Sequence, residues 1–150
     1  METITENYKT SILADATLKT VYDSICKVGE WWGFIDGPTH HAGDEFVYHP
    51  GETWVNIKIA EMIPDQRIVW YVIDCHLPFV KDIKEWKDTS MVWNLKRNEG
   101  QTEIDFEHVG LEPGVECYDG CVKGWDFYIK ESLNKFITEG VGMPGDRQKK

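Results

Sequence analysis

This chain is short of basic charge. Its 150 residues carry 16 Lys and Arg against 26 Asp and Glu, a formal net charge of −10. A phosphate backbone needs clustered Lys and Arg, so a nucleic-acid partner is not expected. An anionic membrane surface is disfavoured for the same reason. No apolar run approaches the ~18 residues of a membrane-spanning helix. The opening Met1-Glu2-Thr3-Ile4-Thr5-Glu6 is acidic and has neither the basic nor the apolar region of a secretory signal, so a cytoplasmic location is expected. Cysteine is scarce, and Cys26, Cys75, Cys117 and Cys121 make no C-x-x-C. Each lies in or beside an apolar element, which favours buried reduced thiols over a disulfide framework. Catalytic fingerprints are missing too: there is no H-E-x-x-H, G-x-S-x-G, phosphate loop or dinucleotide motif.

Aromatic residues are what the chain has in excess, at 13% with seven tryptophans, within a hydrophobic fraction of 41%. That composition is globular, and the length suits a single domain over residues 1–150. An ordered core from about 8 to 138 is expected, followed by a polar tail over 140–150.

Periodicity divides the core into elements. Tyr8 to Leu13 alternates as an opening strand, and Asp15 or Thr17 can cap a helix carrying Leu18, Val21, Tyr22 and Ile25. Trp31-Trp32 follow, then a Gly33–Gly43 segment with Gly37-Pro38 that reads as a loop. Strands are predicted over Glu45–His49, Trp54–Met62, Arg67–Asp74, Ser90–Arg97 and Thr102–Val109. Arg67–Asp74 is apolar on both faces and reads as a central strand. Leu77–Lys87 fits no pattern cleanly, and Pro78 argues against a central strand there. The last strand turns Ile104, Phe106 and His108 inward and Glu103, Asp105 and Glu107 toward water. From about Tyr118 to Thr138 the period changes: Cys121, Val122, Trp125, Tyr128, Ile129, Ser132, Leu133 and Phe136 form one helical stripe. Strands joined by tight turns, with helices at both ends of the order, predict an α+β fold with an antiparallel sheet.

Several stretches then resemble one superfamily. Val21-Tyr22-Asp23-Ser24-Ile25 with Trp31-Trp32 resembles its first helix and tryptophan pair, and Ala42-Gly43-Asp44-Glu45-Phe46 its turn into the first hairpin. Glu61 to Trp70, Trp93-Asn94-Leu95, Gly100-Gln101-Thr102, His108 to Leu111, and Gly124-Trp125 with Leu133 match in the same order. This is the START-like, or helix-grip (SRPBCC), superfamily, and within it the family related to the activator of the heat-shock-protein-90 ATPase. Ala42 replaces the first glycine of the motif, and Leu77–Asp88 is unusually long. The resemblance implies a curved antiparallel sheet wrapped around a long C-terminal helix, with two short helices after the first strand. It also implies a cavity between sheet and helix.

The expected ligand-binding residues are Trp31, Trp32, Trp93, Phe106, His108, Cys121, Trp125 and Tyr128, around a small hydrophobic or aromatic molecule. A core packed solid by the same aromatics is the alternative. His108 is expected to point inward and to give a ligand one orienting hydrogen bond. No catalytic residue, cofactor or metal is expected. His40, His41, Asp44, Glu45 and His49 are metal-ligand types on a loop without a rigid convergent frame. Cys117 and Cys121 lie four apart at a helix start and are read as structural. Two other functions are kept open: a co-chaperone-like module in the stress response, and a cyclase-like enzyme using His108. A monomer or weak homodimer is expected.

Overall fold

The computed structural model describes residues 7–78, 80–113, 116 and 118–144. Its strands are β1 (Tyr8–Ala14), β2 (Ile35–Asp36), β3 (Glu45–Tyr48), β4 (Trp54–Ile63), β5 (Arg67–His76), β6 (Ser90–Asn98) and β7 (Gln101–Val109). Helices α1 (Leu18–Cys26) and α2 (Val28–Trp31) follow β1. A C-terminal helix runs through α3 (Tyr118–Asp126), a π-helical stretch (Phe127–Leu133) and α4 (Asn134–Glu139).

The strands form one antiparallel sheet in the order β1-β7-β6-β5-β4-β3-β2, with β5 in the middle as its two-sided apolarity predicts. Register lines up the inward side chains: Tyr8, His108, Met91, Trp70 and Ile59 form one row across five strands. Thr10, Phe106, Trp93 and Ile68 form the next. Register shifts in β4 at Asn56/Ile57 and Ile59/Glu61 add bends that curve the sheet. Glu99 and Gly100, both at positive φ, close the β6–β7 hairpin in two residues, matching the strand twist.

Thr17 is the α1 cap, its hydroxyl accepting from the Thr20 amide at 3.1 Å. The Trp31 indole donates to the Ile25 carbonyl at 3.3 Å and ties α2 to α1. Along the C-terminal helix the fully covered residues Trp125, Ile129, Leu133 and Ile137 repeat every four. In a regular α-helix that spacing drifts by about 40° per step around the axis. The wider π turn takes up this drift and holds all four against the sheet.

Two expectations need correction, and one unassigned segment acquires a form. The Gly33–Gly43 loop contains β2, which pairs with β3. Leu77–Asp88 is a turn-rich strap, tied by Leu77 N–H to the Ile83 carbonyl at 2.8 Å and Asp88 N–H to the Val72 carbonyl at 2.9 Å. It buries Val80 and Trp86. The chain after Gly140 begins as a docked segment: the Ser132 hydroxyl donates to the Trp31 carbonyl at 2.6 Å and accepts from the Met143 amide at 2.7 Å.

Candidate ligand-binding cavity

A cavity of about 300 Å³ opens between α3 and the sheet. Trp32, Tyr48 and Val55 form its floor, and the strap contributes Leu77 and Trp86. Gly120, Cys121, Gly124, Trp125 and Tyr128 form the helix wall, with Pro50 and Thr53 at the β3–β4 turn. None of these side chains carries a charge. The rings are interlocked. Trp32 stacks on Tyr48 with centroids 4.0 Å apart and meets Trp125 at 5.0 Å, while Trp86 lies parallel to Trp125 at 6.2 Å and 5°.

Local sequence explains the floor. Phe46 and Tyr48 alternate inward along β3, and Trp32 closes the short α2 turn. Between them lies Gly33, where a Cβ would come within 2.7 Å of the Tyr48 ring. On α3, by contrast, a Cβ at Gly120 or Gly124 would meet nothing within 4 Å.

The structure divides the eight expected residues into two groups. Trp32, Cys121, Trp125 and Tyr128 line the cavity. Trp31, Trp93, Phe106 and His108 are buried behind it, with Trp93 meeting Trp31 at 5.6 Å and Phe106 at 4.5 Å. His108 faces inward as expected, but both ring nitrogens are taken by the protein. The Trp125 indole donates to Nδ1 at 3.1 Å, so Nε2 carries the proton and donates to Thr89 Oγ1 at 2.9 Å. Thr89 in turn donates to the Trp86 carbonyl at 2.7 Å. Burial pushes the His108 pKa down to about 3, so the imidazole is neutral near pH 7. His108 therefore positions two cavity walls, Trp125 and the Trp86 strap, and contributes no surface of its own.

Tyr48, Val55, Leu77 and Trp86 escaped the sequence reading. The Phe46/Tyr48 alternation carried a signal for the first. Trp86 had none, because an irregular strap has no period from which to read an inward side. Elsewhere, Cys26 and Cys75 are buried thiols, and burial raises both pKa values, that of Cys26 to about 12. Cys117 lies outside the described residues. The Asp44 carboxylate accepts from the His40 and His41 amides at 3.1 and 2.9 Å, so it organises its own loop.

No family model and no curated protein matches the chain. Solved structures do. The Aha1 protein of Colwellia psychrerythraea, determined in solution as a dimer, superposes with a TM-score of 0.74 at 18% identity. That match covers 93% of this chain and all of that one. The chain has the START-like, helix-grip fold. Protein MLL2253 of Mesorhizobium loti shares it with a TM-score of 0.73 at 12% identity, over 93% of this chain and 100% of that one. DynU16, from the dynemicin biosynthetic locus, matches with a TM-score of 0.70 at 15% identity over 91% of this chain and 49% of its own length. In helix-grip terms the cavity lies under the first half of the gripped helix. Among the described residues no helix is long and apolar enough to cross a membrane.

Proposed function

We propose that this protein binds a small uncharged apolar or aromatic molecule in the cavity under α3 and carries it without transforming it. One observation carries the reading: about 300 Å³ of space, walled among the described residues by five aromatic rings and no charged side chain. That volume falls at the lower end of the ~300–1,000 Å³ typical of small-molecule sites. A packed interior at the same place would have favoured a surface-acting module instead. The state of His108 supports carriage over catalysis, since its ring proton is committed to Thr89 and its other nitrogen to Trp125, leaving neither for a ligand.

The test is a thermal-shift screen of the purified protein with aromatic hydrocarbons, aromatic ketones and fatty acids, alongside native mass spectrometry for a co-purified molecule. A ligand that binds only the folded state at about 100 times its Kd adds about 2.7 kcal/mol of stability. A clear rise in Tm with at least one aromatic class is expected. A flat response across all classes overturns the reading.

A second reading, docking onto a chaperone or a second copy of the chain, is favoured by the likeness to the dimeric Aha1 protein. The outward acidic row Glu103, Asp105 and Glu107 on β7 offers a surface for a basic partner. Sedimentation at increasing concentration tests the dimer, and pull-down with a purified Hsp90 tests the chaperone.

A further inference from the structure

We infer that the hydroxyls of Tyr48 and Tyr128 are the polar anchor of the cavity and select an aromatic ligand bearing a carbonyl or hydroxyl oxygen on one edge. The assignment rests on the ligand-carrier reading above and names the chemistry that such a ligand needs.

Tyr48 cannot move out of the way. One face of its ring stacks on Trp32 at 4.0 Å and an interplanar angle of 16°. Its edge lies against Gly33, where any side chain would collide with it at 2.7 Å. The residue is only 9% exposed and shares the cavity wall with Tyr128 on the π-helical stretch. Both rings line the cavity. Each phenol brings one O–H donor and two acceptor lone pairs. In a wall otherwise poor in polar groups, these are the atoms that can meet an oxygen brought by a ligand. Burial, then the neighbouring Tyr128, raises the Tyr48 pKa well above the usual phenol range, so it stays an O–H donor at physiological pH.

The rest of the wall constrains the ligand further. With no charged side chain among the described lining residues to pair it, an ionised ligand would lose its hydration uncompensated. Gly120 and Gly124 leave bare helix backbone on one side, which leaves room for a flat ring. Thr53 is half-exposed at the β3–β4 turn, where water competes for its hydroxyl, so it is the weaker handle.

The experiment titrates the full chain with acetonaphthone, its oxygen-free isostere isopropenylnaphthalene, and naphthoate, reading tryptophan fluorescence. A net hydrogen bond predicts that the ketone binds about 5–10-fold tighter than the isostere. Naphthoate should bind at least about tenfold more weakly than the ketone. In the Tyr48→Phe/Tyr128→Phe double variant the ketone preference should vanish while the hydrocarbon binds as before, which also certifies the fold. Should the double variant not fold, Tyr128→Phe alone is the test, because Tyr128 is half-exposed, and it should cut the preference at least about threefold. Equal binding of ketone and isostere to the wild type overturns the anchor and leaves the carrier reading standing. So does a preference that survives the variants. Naphthoate binding as tightly as the ketone overturns the requirement for a neutral oxygen donor or acceptor. If none of the three probes binds, the carrier reading and the anchor fall together.

Discussion

Under the π-helical stretch and α4, Trp31, Trp93, Ile129 and Leu133 have no exposed surface at all. Under α3, a few turns earlier on the same helix, a space of about 300 Å³ remains. Both ends face the same sheet and both are rich in tryptophan. The difference lies in what the helix presents. The closed end brings Ile129, Leu133 and Ile137 inward, while the open end brings Gly120, Cys121 and Gly124. Sheet and helix are held apart by their largest side chains, so small residues at one end leave volume that nothing else fills. In this fold a cavity follows from local side-chain size and needs no separate architecture.

The sharpest way to break that comparison is to hollow out the closed end. Trp93→Ala should lose about 3–5 kcal/mol in urea denaturation, as large-to-small core changes do. Tyr128→Ala at the open end should lose less than half of that, because its ring already faces space and is half-exposed. Equal losses would mean that the two ends are packed alike.

The second prediction tests His108, which holds Trp125 and the Trp86 strap at the open end. Its folded pKa lies below its ordinary value of 6.5, so the unfolded chain binds a proton that the folded chain refuses. Stability is then fully present above about pH 6.5 and is lost as pH falls toward 3. Between pH 6 and 5 the slope should approach about 1.4 kcal/mol per pH unit. Replacing His108 with Gln should flatten the slope in that interval, above the range where the carboxylates dominate. An unchanged slope would show that another group carries the acid sensitivity.

The smallest effect is the most diagnostic. Gly124→Ala places a methyl into open space on a helix where alanine is the better residue, so stability should rise by about 0.5–1 kcal/mol. The same methyl narrows the cavity, and affinity for naphthalene-sized probes should fall by about threefold or more. A gain in stability without a loss in binding would place the ligand elsewhere.

Much of the fold was legible in the chain. Strand alternation put Ile104, Phe106 and His108 inward, and the tryptophan pair with the helical stripe supplied four cavity residues: Trp32, Cys121, Trp125 and Tyr128. The role expected of His108 was not legible, because a period tells which way a side chain points and not what it meets. Its hydrogen bonds to Trp125 and Thr89 join residues 17 and 19 positions away. Trp86 was invisible for a related reason: the strap that carries it has no repeating backbone geometry.

Sequence alone determined which residues form strands and helices and which side each turns inward, because those follow from backbone periods of two and about 3.6 residues. Only the tertiary structure decided that the helix widens into a π turn to keep Trp125, Ile129, Leu133 and Ile137 on one line. It alone decided that Tyr48 and Tyr128 share one cavity wall, and that space survives under α3. Those outcomes depend on the sizes of side chains brought together from distant parts of the chain, and volume between layers is not a property of any single segment.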